Sequence, residues 1–211
     1  MTPEGRPSGN LLLTLIVSRK DCRPRTPEEL ISLAAAGGVT AVQLREKEMS
    51  GRDFYELALT VGSLCRKLGL AFIINDRLDL ALAAGADGLH LGREDLPLKA
   101  ARKFWPSPKI LGATAKTPEQ ARQAIEAGAS YLGVGALFPS PTKPSALPMA
   151  PETAAAIRDL SPIPLIGIGG LTPDRAAQAW ALGLDGLAVS SALTKASDPA
   201  EAARRILSAK P

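Results

Sequence analysis

Aromatic side chains make up only 4% of the 211 residues. A protein that grips single-stranded nucleic acid needs stacking platforms, and few are available here. His90 is the only histidine, and the two cysteines, Cys22 and Cys65, form no CxxC or other metal-ligand spacing. A zinc site and a histidine-based hydrolytic triad therefore lack their parts. Cys65 falls on the apolar face of a helical segment, and both thiols are expected to be reduced, as in cytoplasm. No run approaches the ~20 apolar residues that span a bilayer. The N-terminal Thr2-Pro3-Glu4 opens no basic region with an apolar run behind it, so no signal peptide is expected. Charge of one sign is also modest: the formal balance is +4, with the bases spread along the chain. A phosphorylated small molecule explains that balance as well as a polynucleotide does. The expected setting is the cytoplasm and the expected partners are small phosphorylated substrates, with no nucleic acid and no membrane. The sequence sets no assembly state, and a homodimer is kept as an option.

What the chain does have is enough apolar residue, 45% against 22% charged, to bury a sizeable core. One phrase recurs four times: a small or leucine residue, a glycine, a short link, then a buried strand. It reads Ala36-Gly37-Gly38-Val39-Thr40-Ala41-Val42-Gln43, then Ala84-Gly85-Ala86-Asp87-Gly88-Leu89-His90-Leu91, then Ala127-Gly128-Ala129-Ser130-Tyr131-Leu132-Gly133-Val134, then Leu182-Gly183-Leu184-Asp185-Gly186-Leu187-Ala188-Val189. The leading glycines lie 48, 43 and 55 residues apart, about two βα units each time, and are expected to be left-handed helix C-caps. Four further apolar runs sit between them: Leu13–Val17, Ala71–Ile74, Ile110–Gly112 and Leu165–Ile168. Phe54, Leu57, Ala58, Val61, Leu64, Cys65 and Leu68 share one helical face. Thr26-Pro27-Glu28-Glu29, Thr117-Pro118-Glu119-Gln120 and Thr172-Pro173-Asp174 are helix-start signatures, and Trp180 and Leu184 read as packing. Eight alternating units imply an α/β chain closed into a (β/α)8 TIM barrel, a single domain over residues 11–211 behind a flexible polar tail, 1–10. An open doubly wound sheet is the rival, but no GxGxxG follows the first strand.

In such a barrel the chemistry sits just past the carboxyl ends of the strands. Strand alternation puts Gln43, Arg45 and Lys47 on one side, a socket for a charged planar ligand if it is more than a solvated loop. Asp76 and Asp95 follow adjacent strands. They read either as helix caps or as two carboxylates that share a hard cation such as Mg²⁺, and the basic rim opposite favours the cation. Ser140, Thr142 and Lys143, in a proline-stiffened loop after the sixth strand, suit phosphate oxygens. Gly167-Ile168-Gly169-Gly170 and Val189-Ser190-Ser191 stand where these barrels bind phosphate. His90 reads as a satisfied strand-end imidazole more readily than as a catalytic base.

Five segments in order also resemble the thiamine phosphate synthase family. They are Val42-Gln43-Leu44-Arg45-Glu46-Lys47, Ile74-Asn75-Asp76-Arg77, His90-Leu91-Gly92-Arg93-Glu94-Asp95-Leu96-Pro97, Gly133-Val134-Gly135 with Phe138-Pro139-Ser140-Pro141-Thr142-Lys143, and Gly167-Ile168-Gly169-Gly170. The resemblance implies a transferase joining hydroxymethylpyrimidine diphosphate to hydroxyethylthiazole phosphate or its carboxylated form, with release of pyrophosphate. It implies that Gln43 contacts the pyrimidine and that Arg45, Lys47, Asn75 and Lys143 hold the diphosphate, helped by Thr114. Asp76 and Asp95 would ligate Mg²⁺, and Ser140, Thr142, Gly170, Ser190 and Ser191 would receive the thiazole phosphate. Mg²⁺, Arg45, Lys47 and Lys143 would stabilise the leaving group in a dissociative displacement. The chain departs from the family at Val17-Ser18-Arg19, where threonine-aspartate is usual, and at Thr114 and Lys116, where a serine and a histidine are typical. A thiazole tautomerase of the same superfamily and a non-catalytic phosphate-sensing barrel are the alternatives.

Overall fold

A computed structural model describes residues 10–139 and 147–211, so the expected tail, apart from Asn10, lies outside the described residues. Eight parallel strands pair in chain order and close on themselves: β1 (Leu13–Val17), β2 (Ala41–Leu44), β3 (Ala71–Asn75), β4 (Gly88–Leu91), β5 (Ile110–Ala115), β6 (Tyr131–Gly135), β7 (Leu165–Ile168) and β8 (Gly186–Val189). The closing pair joins Leu13 to Leu187 and Leu15 to Val189. Between and after the strands run α1 (Pro27–Ala36), α2 (Gly51–Leu68), α3 (Leu78–Ala83), α4 (Leu98–Ala101), α5 (Pro118–Glu126), α6 (Pro151–Leu160), α7 (Ala176–Trp180), α8 (Ser191–Thr194) and α9 (Pro199–Ser208). This is the expected (β/α)8 barrel.

Strand alternation divides the apolar residues into two cores. Outward-facing Leu13, Leu15, Val42, Leu44, Phe72, Ile74, Leu89, Leu111, Leu132, Val134 and Leu187 pack under the helices. Truncating one of the fully buried leucines there to alanine is expected to destabilise by about 2–5 kcal/mol. The core inside the barrel is smaller, with Leu11, Ala41, Ile73, Tyr131, Ile166 and Ala188 at its centre. Gly88 and Gly186 keep it narrow: a Cβ on Gly88 would stand 2.9 Å from the Ile73 side chain, and one on Gly186 2.9 Å from that of Ile166. Trp180 and Leu184 are buried packing residues, as read, and both cysteines are buried free thiols.

Helix boundaries follow local chemistry with a few departures. Thr26 forms a full capping box with Glu29, and Thr117 accepts from the Gln120 amide. Thr172 makes no such side-chain cap, because the chain there winds first into a 3₁₀ turn, Pro173–Arg175. Gly85, Gly128 and Gly183 take positive φ, as the repeat predicts. In its first copy Gly38 does so (φ 99°), while Gly37 stays right-handed at φ −89°. Gly37 is excluded from other residue types by proximity instead: a Cβ would stand 2.7 Å from the Ala200 Cα of α9. On α2 the expected face is buried at Phe54, Leu57, Ala58, Val61 and Cys65, but Leu64 is only partly buried and Leu68 in the last turn is 41% exposed. Two strands outrun their apolar runs. β3 includes Asn75, and β5 continues to Ala115, so Thr114 stands within a strand and not in the loop after it.

Candidate active site

The residues past the strand ends fall into two groups on either side of the barrel mouth. On the β2–β4 side, Lys47 Nζ lies 2.9 Å from Asp76 Oδ2, an ion pair in which the lysine is half exposed and the aspartate mostly covered. Asp95 adjoins Asp76 closely enough for the two carboxyl groups to perturb each other, and Asp95 Oδ2 accepts from the Gly92 amide at 2.6 Å. Burial and the neighbouring Asp76 push Asp95 above the usual carboxylate range. Burial alone would raise Asp76 too, but the adjoining Asp95 and the cations Lys47 and Arg45 hold it below. Neither acid caps a helix: α3 follows Arg77 and α4 follows Pro97, with no side-chain cap at either start. The capping alternative is thereby set aside.

The backbone puts Asp76 there at some expense. It is the only non-glycine residue among the described ones with positive φ (66°), and the Arg77 amide bonds the Asn75 carbonyl across it at 2.8 Å, a γ-turn. The Asp76 amide reaches sideways to the His90 carbonyl, 2.9 Å away. A strained conformation of this kind costs about 1–3 kcal/mol and tends to persist at functional sites. Two facing carboxylates at a mouth, with no cluster of three acidic, His or Cys ligands among the described residues, are a donor set that suits Mg²⁺. That ion takes one or two carboxylates and completes its shell with water and substrate phosphate.

Beneath these groups runs a buried polar column. Tyr131 Oη is 2.8 Å from His90 Nδ1 and 3.5 Å from Gln43 Nε2, and His90 Nε2 is 3.0 Å from Thr114 Oγ1. Strand pairing sets Asn75 beside His90, His90 beside Gly112 and Gly112 beside Tyr131. Gly112 is needed there, since a Cβ would enter the Tyr131 ring. Burial pushes the His90 imidazole down to about 4 and the Tyr131 phenol up, so both are neutral near pH 7. With both ring nitrogens engaged, His90 is a satisfied imidazole and not a free base. Asn75 is buried on the inner face of β3, and Arg45 is exposed beyond β2.

The β6–β8 side works through backbone. Gly169 and Gly170 take φ of 98° and 63°, and a Cβ on Gly170 would stand 2.5 Å from the carbonyl oxygens of Phe138 and Pro139. Leu137 and Phe138 donate their amides to the Ile168 and Gly169 carbonyls at 2.9 and 3.1 Å. Arg175 closes the arrangement, donating from Nη1 to the Gly170 and Pro139 carbonyls at 2.8 and 3.2 Å with its guanidinium over the Phe138 ring. Ser190 and Ser191, half-buried after β8, make no side-chain hydrogen bond among the described residues. Ser140, Thr142 and Lys143 lie outside the described residues.

Over residues 13–193 the sequence matches the thiamine monophosphate synthase family. The chain belongs to that family. A thiamine-phosphate synthase of Moorella thermoacetica is 49% identical over 195 residues, spanning 92% of this chain and 93% of the relative. One of Haloquadratum walsbyi is 44% identical over 197 residues, spanning 92% and 88%. Among solved structures, a thiamine phosphate pyrophosphorylase from Pyrococcus furiosus superposes with a TM-score of 0.85 at 35% identity, covering 94% of this chain and 95% of that one. Family membership agrees with the fold and with the five segments. Tyr131 and Arg175, which tie the site together, were not among the residues singled out from sequence. The signal for Tyr131 was a lone aromatic on an inner strand face opposite a glycine; Arg175 bonds only carbonyls and a ring and leaves no sequence signal.

Proposed function

We propose that this member of the family is a transferase that makes thiamine phosphate and pyrophosphate from hydroxymethylpyrimidine diphosphate and a thiazole phosphate. The carrying observation is the Lys47–Asp76–Asp95 cluster at the strand ends. Mg²⁺ held by Asp76 and Asp95 would neutralise charge gathering on the diphosphate. Lys47, Arg45 and Lys143 hold the same diphosphate with Asn75 and the Thr114 hydroxyl, while Gln43 meets the pyrimidine edge. Ser140, Thr142, the Gly170 turn, Ser190 and Ser191 receive the thiazole phosphate. As the C–O bond breaks, its electron pair leaves with pyrophosphate and the aminopyrimidine supports the cation at the methylene carbon. The thiazole nitrogen then donates its lone pair to that carbon. The protein supplies no nucleophile; it aligns two substrates and stabilises the leaving group.

Residues 11–211 are read as one catalytic unit, acting in the cytoplasm, with a homodimer as its proposed assembly. Among the described residues no helix is long and apolar enough to cross a membrane. The test mixes purified protein with both substrates, with and without Mg²⁺, and follows pyrophosphate. Metal-dependent release is expected. Absence of release in both arms, with thiamine phosphate still binding, would leave a phosphate-sensing barrel instead.

A further inference from the structure

The column under the mouth joins two residues that the reading above gives to the two ends of one substrate, the pyrimidine and its diphosphate. We propose that His90 and Tyr131 are positioning residues that lock the Gln43 amide and the Thr114 hydroxyl into one hydrogen-bond polarity, so that the anion at Thr114 sets which pyrimidine edge Gln43 accepts. This rests on the assignment of Gln43 to the pyrimidine and Thr114 to the diphosphate.

The chain of contacts runs Thr114 Oγ1, His90 Nε2, His90 Nδ1, Tyr131 Oη, Gln43. Each hydroxyl has one proton to give, and a neutral imidazole has one donor and one acceptor nitrogen. Only two arrangements keep every link and also give the buried Tyr131 proton an acceptor. Diphosphate oxygens only accept, so Thr114 facing them gives its proton outward and takes the His90 Nε2–H. Nδ1 is then bare and accepts from the Tyr131 hydroxyl, whose oxygen accepts from the Gln43 N–H. The Gln43 carbonyl is left to face the mouth, where it matches an exocyclic amine. In the reverse arrangement Thr114 donates to His90, Tyr131 donates to the Gln43 carbonyl, and the amide NH₂ faces the mouth, matching a ring carbonyl.

The site is built to hold these links. Gln43, His90 and Tyr131 are 6%, 9% and 3% exposed, so water has little access to substitute for a partner. Glycines on β5 and β6 make room for both rings: Gly112 admits Tyr131, and a Cβ on Gly133 would stand 3.1 Å from His90 Cε1. The ring centroids are 5.4 Å apart. The 3.5 Å bond to Gln43 is the longest link. It is therefore the one most readily reversed once Tyr131 no longer enforces it.

Because His90 is the only histidine, ¹⁵N-histidine labelling reports its tautomer without assignment. The proton is expected on Nε2, and more completely so with inorganic pyrophosphate and Mg²⁺ bound; a proton on Nδ1 in the bound state overturns the proposal. The second measurement compares kcat/KM for the amino substrate and for its oxo analogue, a pyrimidine diphosphate carrying a carbonyl in place of the amine. The native enzyme is expected to favour the amine by about a hundredfold or more. Tyr131→Phe is expected to cut that preference about tenfold, and an unchanged preference in the folded variant overturns the proposal. Should Tyr131→Phe fail to fold, Thr114→Val tests the other end, and Thr114→Ser is expected to restore the native preference. A native protein that turns over neither substrate defeats the functional reading alone, and the tautomer then decides the column by itself.

Discussion

In the proposed reading the two sides of the mouth solve the same problem, holding phosphate, by different means. The β2–β4 side uses side-chain charge: Lys47 paired with Asp76, Asp95 adjoining, and Arg45 near enough to lower the Asp76 carboxyl. The β6–β8 side, where described, uses backbone: Gly169 and Gly170 at positive φ and carbonyls gathered by Arg175, with the Ser190 and Ser191 hydroxyls beside them. A charged side suits a group whose charge grows during reaction, because preorganised ions stabilise the product of bond breaking more than the bound reactant. A backbone nest suits a phosphate whose charge stays constant, since shape and N–H groups hold it equally before and after. In the proposed reaction the diphosphate departs and the thiazole phosphate only rides along. The difference predicts that damage to one side lowers kcat, while damage to the other raises KM.

The strongest test of that split is Asp76→Asn. Asparagine tolerates positive φ, so the γ-turn should survive while the carboxylate is lost. Turnover is expected to fall by about 10²–10³-fold with thermal stability little changed. Normal turnover in a folded variant would remove the acid pair from the chemistry. Lys47→Met should follow, with kcat down about ten- to a hundredfold, an effect on the departing charge. Its ion pair is half exposed, so stability should move by less than about 1 kcal/mol. On the other side, Gly170→Ala forces a Cβ against two carbonyls at positive φ. It should raise KM for the thiazole phosphate about tenfold, leave KM for the pyrimidine diphosphate alone, and destabilise by about 1–2 kcal/mol. A kcat defect without a KM defect there would erase the distinction between the sides.

This asymmetry also governs what the sequence reveals. The charged side is legible because carboxylates and cations announce their chemistry by residue type, and the repeat places them at strand ends. The barrel is legible for a similar reason: glycine turns and apolar runs recur, and each strand needs a buried face. Geometry that depends on backbone is not legible. Nothing in the letters shows that Asp76 bridges a γ-turn, that Arg175 bonds the carbonyls of Gly170 and Pro139, or that Gly38 and not Gly37 turns left-handed. The apolar run stops at Gly112, which alone would put Thr114 past the strand, but β5 runs on to Ala115 with Thr114 facing His90. Polar residues on the inside of a strand read as loop when only hydrophobicity is counted.

The smallest expected effect concerns the floor that the two sides share. His90 sits below both and is held neutral by burial, its folded pKa near 4 against 6.5 in an unfolded chain. The folded protein therefore binds fewer protons than the unfolded one between those values, so stability falls as pH drops through 6.5 and goes on falling toward 4. From pH 6.5 to 5.5, above the range where ordinary carboxylates titrate, the loss is about 1 kcal/mol. The measurement is the urea midpoint across that window for the native protein and His90→Gln, which cannot titrate there. The native curve should be the steeper by up to one proton. Parallel curves would mean that water reaches the imidazole from the mouth and that the floor is open. The charged and backbone sides would then share solvent, and the water exclusion that makes the Lys47–Asp76–Asp95 charges effective would have to come from the bound substrates alone.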